Sequence, residues 1–512
     1  MQADTNELKP MKFVKPFILA IFTISAYVCA GGCKCASEDA ARDIPFDMPQ
    51  VATPSIPTRS VSVEGFGGAG DGVTLNTEAF AEAVKALSSK GGGRLIVPAG
   101  VWRTGPITLE SRIDLHLEKN AILVFDPDQE LYPIIDTNFE GLDVRRCLSP
   151  INALGAHDIA ITGEGVIDGC GEFWREVKKR KVGNDTWKRI TARGGVLSED
   201  GKVWFPDEGY KAARATAGSL NYPDPSLDEQ YIKTFLRPVL VSLRECERVL
   251  IEGCTFQNSP CWNIHPLYCK NLTIKNITVR NPHYSTNGDG IDIDACENVL
   301  LTGSTFDVGD DAICIKSGKD ADGRRHARKC RNLVIRDCTV YHGHGGFVVG
   351  SEMSGGVENI LVEGCRFLGT DVGLRFKSTR GRGGEVKNIW CRDIYMKDIV
   401  SYGVIFNLYY AGVAATELDK SADVSLPPVD ETTPDFHGFH FSGLVCAGAE
   451  QAIYINGLPE LPLHDISFSD CIFTAKKGAE VHNCNNLNVK NLIINGEEIS
   501  RLGPAALARN DR

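Results

Sequence analysis

Two short acidic clusters carry most of the chemistry this chain can offer: Asn287-Gly288-Asp289-Gly290-Ile291-Asp292 and Gly309-Asp310-Asp311-Ala312-Ile313. His344 follows between two glycines, and Arg375 and Lys377 flank Phe376 further on. Several carboxylates around one bond suit glycoside hydrolysis, in which one acid protonates the departing oxygen while another, ionised, activates water. Mutual repulsion within the cluster would keep one acid neutral near working pH. A single aspartate in a turn is a turn-former. Three beside one strand column, backed by a histidine and two cations, make a site. Arg375 and Lys377 lie two apart in a strand pattern, so both face one way and can hold a carboxylate between them. A sugar acid would satisfy them.

What must position these groups is one strand written five times: Gly290-Ile-Asp-Ile293, Ala312-Ile-Cys-Ile315, Gly346-Phe-Val-Val349, Gly373-Leu-Arg-Phe376 and Gly403-Val-Ile-Phe406. Alternation puts Ile291/Ile293, Ile313/Ile315, Phe347/Val349, Leu374/Phe376 and Val404/Phe406 in two inward columns and the polar residues outside. Longer phrases opening at Asn271, Asn298, Asn332, Asn359 and Asn388 are separated by 27, 34, 27 and 29 residues. That period, built from short strands without a helical pattern, predicts an all-β, single-domain, right-handed parallel β-helix. The five asparagines would form a ladder in a turn. One helix over Thr77 to Ser88, with Phe80, Val84 and Leu87 on its apolar side and Thr77 as N-cap, would close the open N-terminal end of the core.

The 512 residues allow a large core, and the abundance of glycine (52) accords with a turn every few residues. A net charge of −11 argues against a nucleic-acid partner without forbidding an anionic substrate. Of the 18 cysteines, Cys254, Cys338, Cys365 and Cys471 recur at one point of the repeat, which predicts a core ladder of free thiols rather than disulfides. Residues 1–33 carry lysines, an apolar run and small residues before Cys33, the pattern of an export signal. The end of that run resembles a lipobox, which implies a lipid anchor on Cys33 and a periplasmic or cell-surface protein that meets the membrane only through its anchor. Prolines 45, 49, 54 and 57 mark residues 34–60 as a tether. The β-helix is expected over 61–500, and 501–512 form a tail. Between 175 and 235 the repeat breaks into an insertion rich in charge and tryptophan, including Lys178, Lys179, Arg180, Lys181, Trp187 and Trp204. Such an excursion either shapes the binding face or is only solvated.

From about Val61 to Asn495 the chain resembles glycoside hydrolase family 28, the polygalacturonases. Asn287-Gly288-Asp289 stands for the family's Asn-Thr-Asp, Gly309-Asp310-Asp311 for Gly-Asp-Asp, Gly343-His344-Gly345 for Gly-His-Gly, and Arg375-Phe376-Lys377 for Arg-Ile-Lys. The resemblance implies inverting hydrolysis of galacturonosyl linkages by a monomer without a metal or other cofactor. Asp310 would be the general acid, Asp289 and Asp311 would activate water, and His344 would support the acid. Arg375, Lys377, Tyr410 and Asn287 would contact substrate, with Tyr409 a close competitor of Tyr410. Glycine at 288 in place of threonine is expected to loosen its turn. Ser317 to Arg325 and Gly350 to Gly356 look like bacterial exo-acting members, and the insertion would close the cleft. His265 and Arg324 are further subsite candidates. Rhamnogalacturonan hydrolysis, Ca²⁺-dependent elimination and a non-catalytic glycan-binding β-helix are the competing readings.

Overall fold

In the computed structural model, which describes residues 43–217, 223–410 and 426–503, the repeated strand stacks on itself in the register the repeats imply. Ile291, Ile313, Phe347, Leu374 and Val404 are successive partners, as are Ile293, Ile315, Val349, Phe376 and Phe406. All ten are fully buried. They belong to an 11-stranded parallel sheet that runs in chain order from Ile107–Thr108 to Lys477–His482. A 25-stranded sheet supplies the other walls, parallel except for a closing antiparallel pair between Cys484–Ile494 and Glu497–Ile499. Together they form a right-handed parallel β-helix, the hand that parallel crossovers take.

Asparagine sets the corners. Asn271, Asn298, Asn332, Asn359 and Asn388 all adopt φ between 57° and 60°, a left-handed conformation that asparagine tolerates. Each Nδ2 after the first donates to the Oδ1 one coil earlier at 3.1–3.3 Å. The helix Thr77–Ser88 buries Phe80, Val84 and Leu87 against the core. Its N-cap is Asn76 rather than Thr77; the Thr77 hydroxyl instead accepts from Gly105 N at 2.7 Å. Thirteen of the fifteen described cysteines are buried, and all fifteen are unpaired. Burial holds such thiols as small apolar fillers and pushes the Cys254 thiol up to about 12.

The proline-bearing segment, expected as a tether, is laid against the protein from residue 44 onward. Phe46 packs on Trp390 at 5.6 Å between ring centroids, Ser55 N donates to Asp158 at 2.8 Å, and Arg59 O accepts from Arg94 N at 2.9 Å. Arg94 and Trp390 lie on one outward column of the large sheet, eight rungs apart through Ala160, Leu250, Val334 and Leu361. Eight rungs span about 38 Å. Thirteen residues of proline-rich extended chain reach about 40 Å, so the strap just covers that column. Ala160, Val334 and Leu361, which lie along that column and point away from the core, are all buried. Covering one valine and one leucine is worth about 3–6 kcal/mol.

The insertion has its own small fold. Val177–Lys178, Val196–Leu197 and Val203–Phe205 form a three-stranded antiparallel sheet, flanked by helices Asn184–Thr191 and Glu208–Ala217. Val177, Trp187, Ile190 and Trp204 bury one face, with Tyr284 of the β-helix packed against them. A second excursion, the antiparallel hairpin Ile134–Phe139 with Leu142–Cys147, carries no repeat-breaking signal in the sequence. It docks through Gly141 O, which accepts from Lys319 N at 3.0 Å, and through Asp143, paired with Arg325 and His326 at 2.8 and 3.1 Å.

Candidate active site

The rung pattern continues through the acidic turns and fixes their backbones. Asp289 O accepts from Asn263 N (3.1 Å), Asp311 O from Gly290 N (3.0 Å) and Asp310 O from His344 N (2.9 Å). Stacked turns therefore carry stacked acids. One oxygen from each of Asp289, Asp310 and Asp311 lies within 4.8 Å of the others, close enough that the cluster could also take a cation. Gly288 is required by its neighbour, so the turn is tight rather than loosened. A Cβ there would fall 1.9 Å from Ser285 Oγ, which donates to Pro282 O at 2.7 Å.

The three carboxylates have three environments. Asp289 is 4% exposed and its Oδ1 has no partner; burial, then the charges of Asp310, Asp292 and Asp311, push its pKa well above the usual range. Burial would also raise Asp310, but the His344 ring 2.9 Å away, with Lys377 and Arg375, outweighs it and holds Asp310 low. Asp311 is 2% exposed. Burial opposes its charge, and Lys377 Nζ at 2.7 Å with Arg375 at 3.2 Å overcome that cost. His344 in turn is raised, first by Asp310 and its hydrogen bond, against desolvation. Burial and the neighbouring charges thus favour the neutral form at Asp289, whereas the resemblance implies that Asp310 is the general acid. Residue types and spacing could not reveal which acid is best shielded from water.

Arg375 and Lys377 face outward from the strand Val372–Lys377, as their spacing implied. The ring of Tyr410 lies 5.8 Å from the Arg375 guanidinium and 5.0 Å from Lys377 Nζ, whereas Tyr409 faces Arg380 at 5.1 Å. Tyr410 is therefore the tyrosine beside the carboxylate-binding pair. A cavity of about 520 Å³ opens next to His344 and Arg375, lined by Tyr402, Tyr454, Asn407 and Asn456. None of these four was singled out from the sequence.

Other candidates have bracing roles. Asn287 uses its Oδ1 to accept from Arg237 (2.9 Å), and its Nδ2 reaches Glu140 at 3.5 Å. Arg237, overlooked in the sequence, also donates to Thr286 O and Pro260 O. His265 is buried 3.3 Å from Asp294 and edge-on to Trp262. Arg324 donates to Gly381 O and Arg382 O. His265 is thereby enclosed, whereas Arg324 is braced through Nη1 and stays half-exposed. Behind the acids, Lys316 pairs with Glu352 (2.8 Å) and Asp292 (3.7 Å) and lies over Trp262. From the insertion, Lys181 comes near enough to Asp310 and Asp371 to feel their charge.

The model of glycosyl hydrolases family 28 matches residues 178–494. A probable polygalacturonase of Vitis vinifera is 31% identical over 433 residues, covering 82% of this chain and 76% of that one. An exo-poly-alpha-D-galacturonosidase of Dickeya chrysanthemi is 29% identical, over 83% of this chain and 68% of its own. The crystal structure of a hyperthermoactive exopolygalacturonase from Thermotoga maritima superposes with a TM-score of 0.73 at 33% identity, covering 88% of this chain and 95% of that one.

Proposed function

Because the chain belongs to glycosyl hydrolases family 28 and is a glycosidase, we propose that it hydrolyses α-1,4-galacturonosyl linkages of polygalacturonate from a chain end, with inversion. The observation that carries this reading is the meeting of three aspartates and His344 with the outward pair Arg375 and Lys377 on adjoining rungs. Arg375 and Lys377 hold the uronate carboxylate. Asp310 takes up the proton of its partner His344 and delivers it to the leaving oxygen, while Asp289 helps orient the attacking water and the ionised Asp311 takes the water's proton. The insertion and the hairpin 134–147, flanking the acids on their N-terminal side, support exo action, as do the exo-acting relatives.

The nearest acid oxygens lie within 4.8 Å, closer than the roughly 6.5–9.5 Å between carboxyl groups that an opposed acid and base keep. Inversion therefore needs the water held beside the cluster by Asp289 and Asp311 jointly. Proton NMR of the earliest product tests this directly. The β-anomer of galacturonic acid should accumulate before mutarotation, as the only product in the first minutes. The α-anomer first would mean retention, a ladder of oligomers would mean endo action, and an unsaturated product would mean a lyase.

Export with a lipid anchor is a separate proposal supported by the sequence, since Cys33 lies outside the described residues. Cys33→Ser should shift the protein from the membrane fraction to the soluble fraction. An unchanged distribution would overturn the anchor. The same reading has the enzyme act as a monomer on pectic chains.

A further inference from the structure

Lys178 to Lys181 set four cations in a row in the insertion. Lys178 pairs with Glu176 at 3.7 Å, Lys179 lies 5.9 Å from the Trp187 ring, and Arg180 is exposed. Lys181 is different. It is half-buried, and its ammonium has no hydrogen bond or ion pair among the described residues.

Its place is fixed by the fold. Lys181 O lies 3.1 Å from His283 Nε2, and Val182 and Tyr284 pack into the cluster of Trp187 and Trp204. His283 and Tyr284 belong to the turn that leads into Asn287 and Asp289, with Ser285 Oγ bonded to Pro282 O. The insertion therefore holds Lys181 against the turn that carries the acids, within reach of the charges of Asp310 and Asp371. Asp371 itself is 3.9 Å from His344 Nε2 and half exposed.

A polyuronate brings more than one carboxylate into such a site. Arg375 and Lys377 can take one, yet its neighbour would approach Asp310 and Asp371, which repel it. A half-buried ammonium without a protein partner is the group that would reverse that repulsion. We propose that Lys181 is a specificity-determining residue that binds the carboxylate of a second uronate, adjacent to the one gripped by Arg375 and Lys377. This assignment rests on the polygalacturonate reading above and gives the insertion a chemical task beyond closing the cleft.

Steady-state kinetics on trigalacturonate, for wild type, Lys181→Met and Lys181→Arg at two NaCl concentrations, test it. Loss of one charge-assisted contact should raise KM about tenfold in Lys181→Met, with kcat within about twofold. Lys181→Arg should recover most of the affinity. The fall of kcat/KM with salt should be shallower in Lys181→Met than in wild type. Because the side chain is only half-buried, the melting temperature should hold and serves as the folding control. If Lys181 only tunes the field at Asp310 and His344, the pH profile moves while KM does not, and the proposal is overturned. Wild-type enzyme that leaves trigalacturonate uncut overturns the polygalacturonate reading, whereas an active wild type with unchanged KM in Lys181→Met overturns this assignment alone.

Discussion

Asp310→Asn should lower kcat on polygalacturonate by about 10²- to 10⁴-fold, the range a positioned general acid supplies, while the β-helix stays folded. Asparagine keeps the shape and the backbone bond from His344 N to residue 310 O (2.9 Å), but it can neither carry nor deliver a proton. Asp310 is held anionic by His344, and His344 is raised by Asp310, so the pair at 2.9 Å holds one transferable proton between them. As a group raised above its ordinary value of 6.5, His344 keeps that proton at low pH and loses it as pH rises through its folded pKa. Activity should therefore fall on the alkaline side at a pH above 6.5, and His344→Asn should move that limb. An Asp310→Asn enzyme retaining more than a tenth of wild-type kcat would transfer the acid's role elsewhere in the cluster.

The strands that stack the site were legible because period-two alternation and repeat length are local properties of sequence. Ile291, Ile313, Phe347, Leu374 and Val404 align in the structure as they do on paper. The convergence of Asp289, Asp310 and Asp311 followed from the same stacking. What remained hidden depends on burial. Nothing in Asn-Gly-Asp against Gly-Asp-Asp tells that Asp289 is the shielded acid, because its environment is built by Asp292, Lys316 and the turn of Asn263. The strap was hidden for a related reason. Ile44, Phe46 and Met48 do alternate, but prolines that remove donors also remove the expectation of a strand, and the column the strap runs along is assembled from nine separate strands. His265 and Arg324 carried suitable chemistry, and packing assigned them elsewhere. Lys181 looked like one surface cation among four.

Lys377→Met is expected to have the second large effect, in two readouts with one cause. Lys377 is 6% exposed and its ammonium is 2.7 Å from Asp311, so removing it leaves a buried carboxylate with only Arg375 beside it. Stripping one partner from a buried pair costs about 3–5 kcal/mol, with the lower end expected here because Arg375 stays at 3.2 Å. Asp311 is depressed in the folded state: burial opposes its charge, but Lys377 and Arg375 outweigh burial. Its contribution to stability is therefore present above the unfolded carboxyl pKa and is lost as pH falls through the folded value. The gap in stability between wild type and Lys377→Met should be full at neutral pH and close below about pH 4; a gap independent of pH would assign the loss to packing. Activity should fall about 10³-fold or more in kcat/KM, because the uronate loses a charge-assisted contact and the water loses an oriented base. The same two cations also help to hold Asp310 low. When a uronate carboxylate settles between them its charge weakens that hold, raising Asp310 and lowering the cost of moving the pair's proton there from His344. An esterified uronate cannot do this, so methyl esterification at that sugar should lower kcat and not only raise KM. Equal kcat on the acid and the ester would show that the substrate's charge serves binding alone.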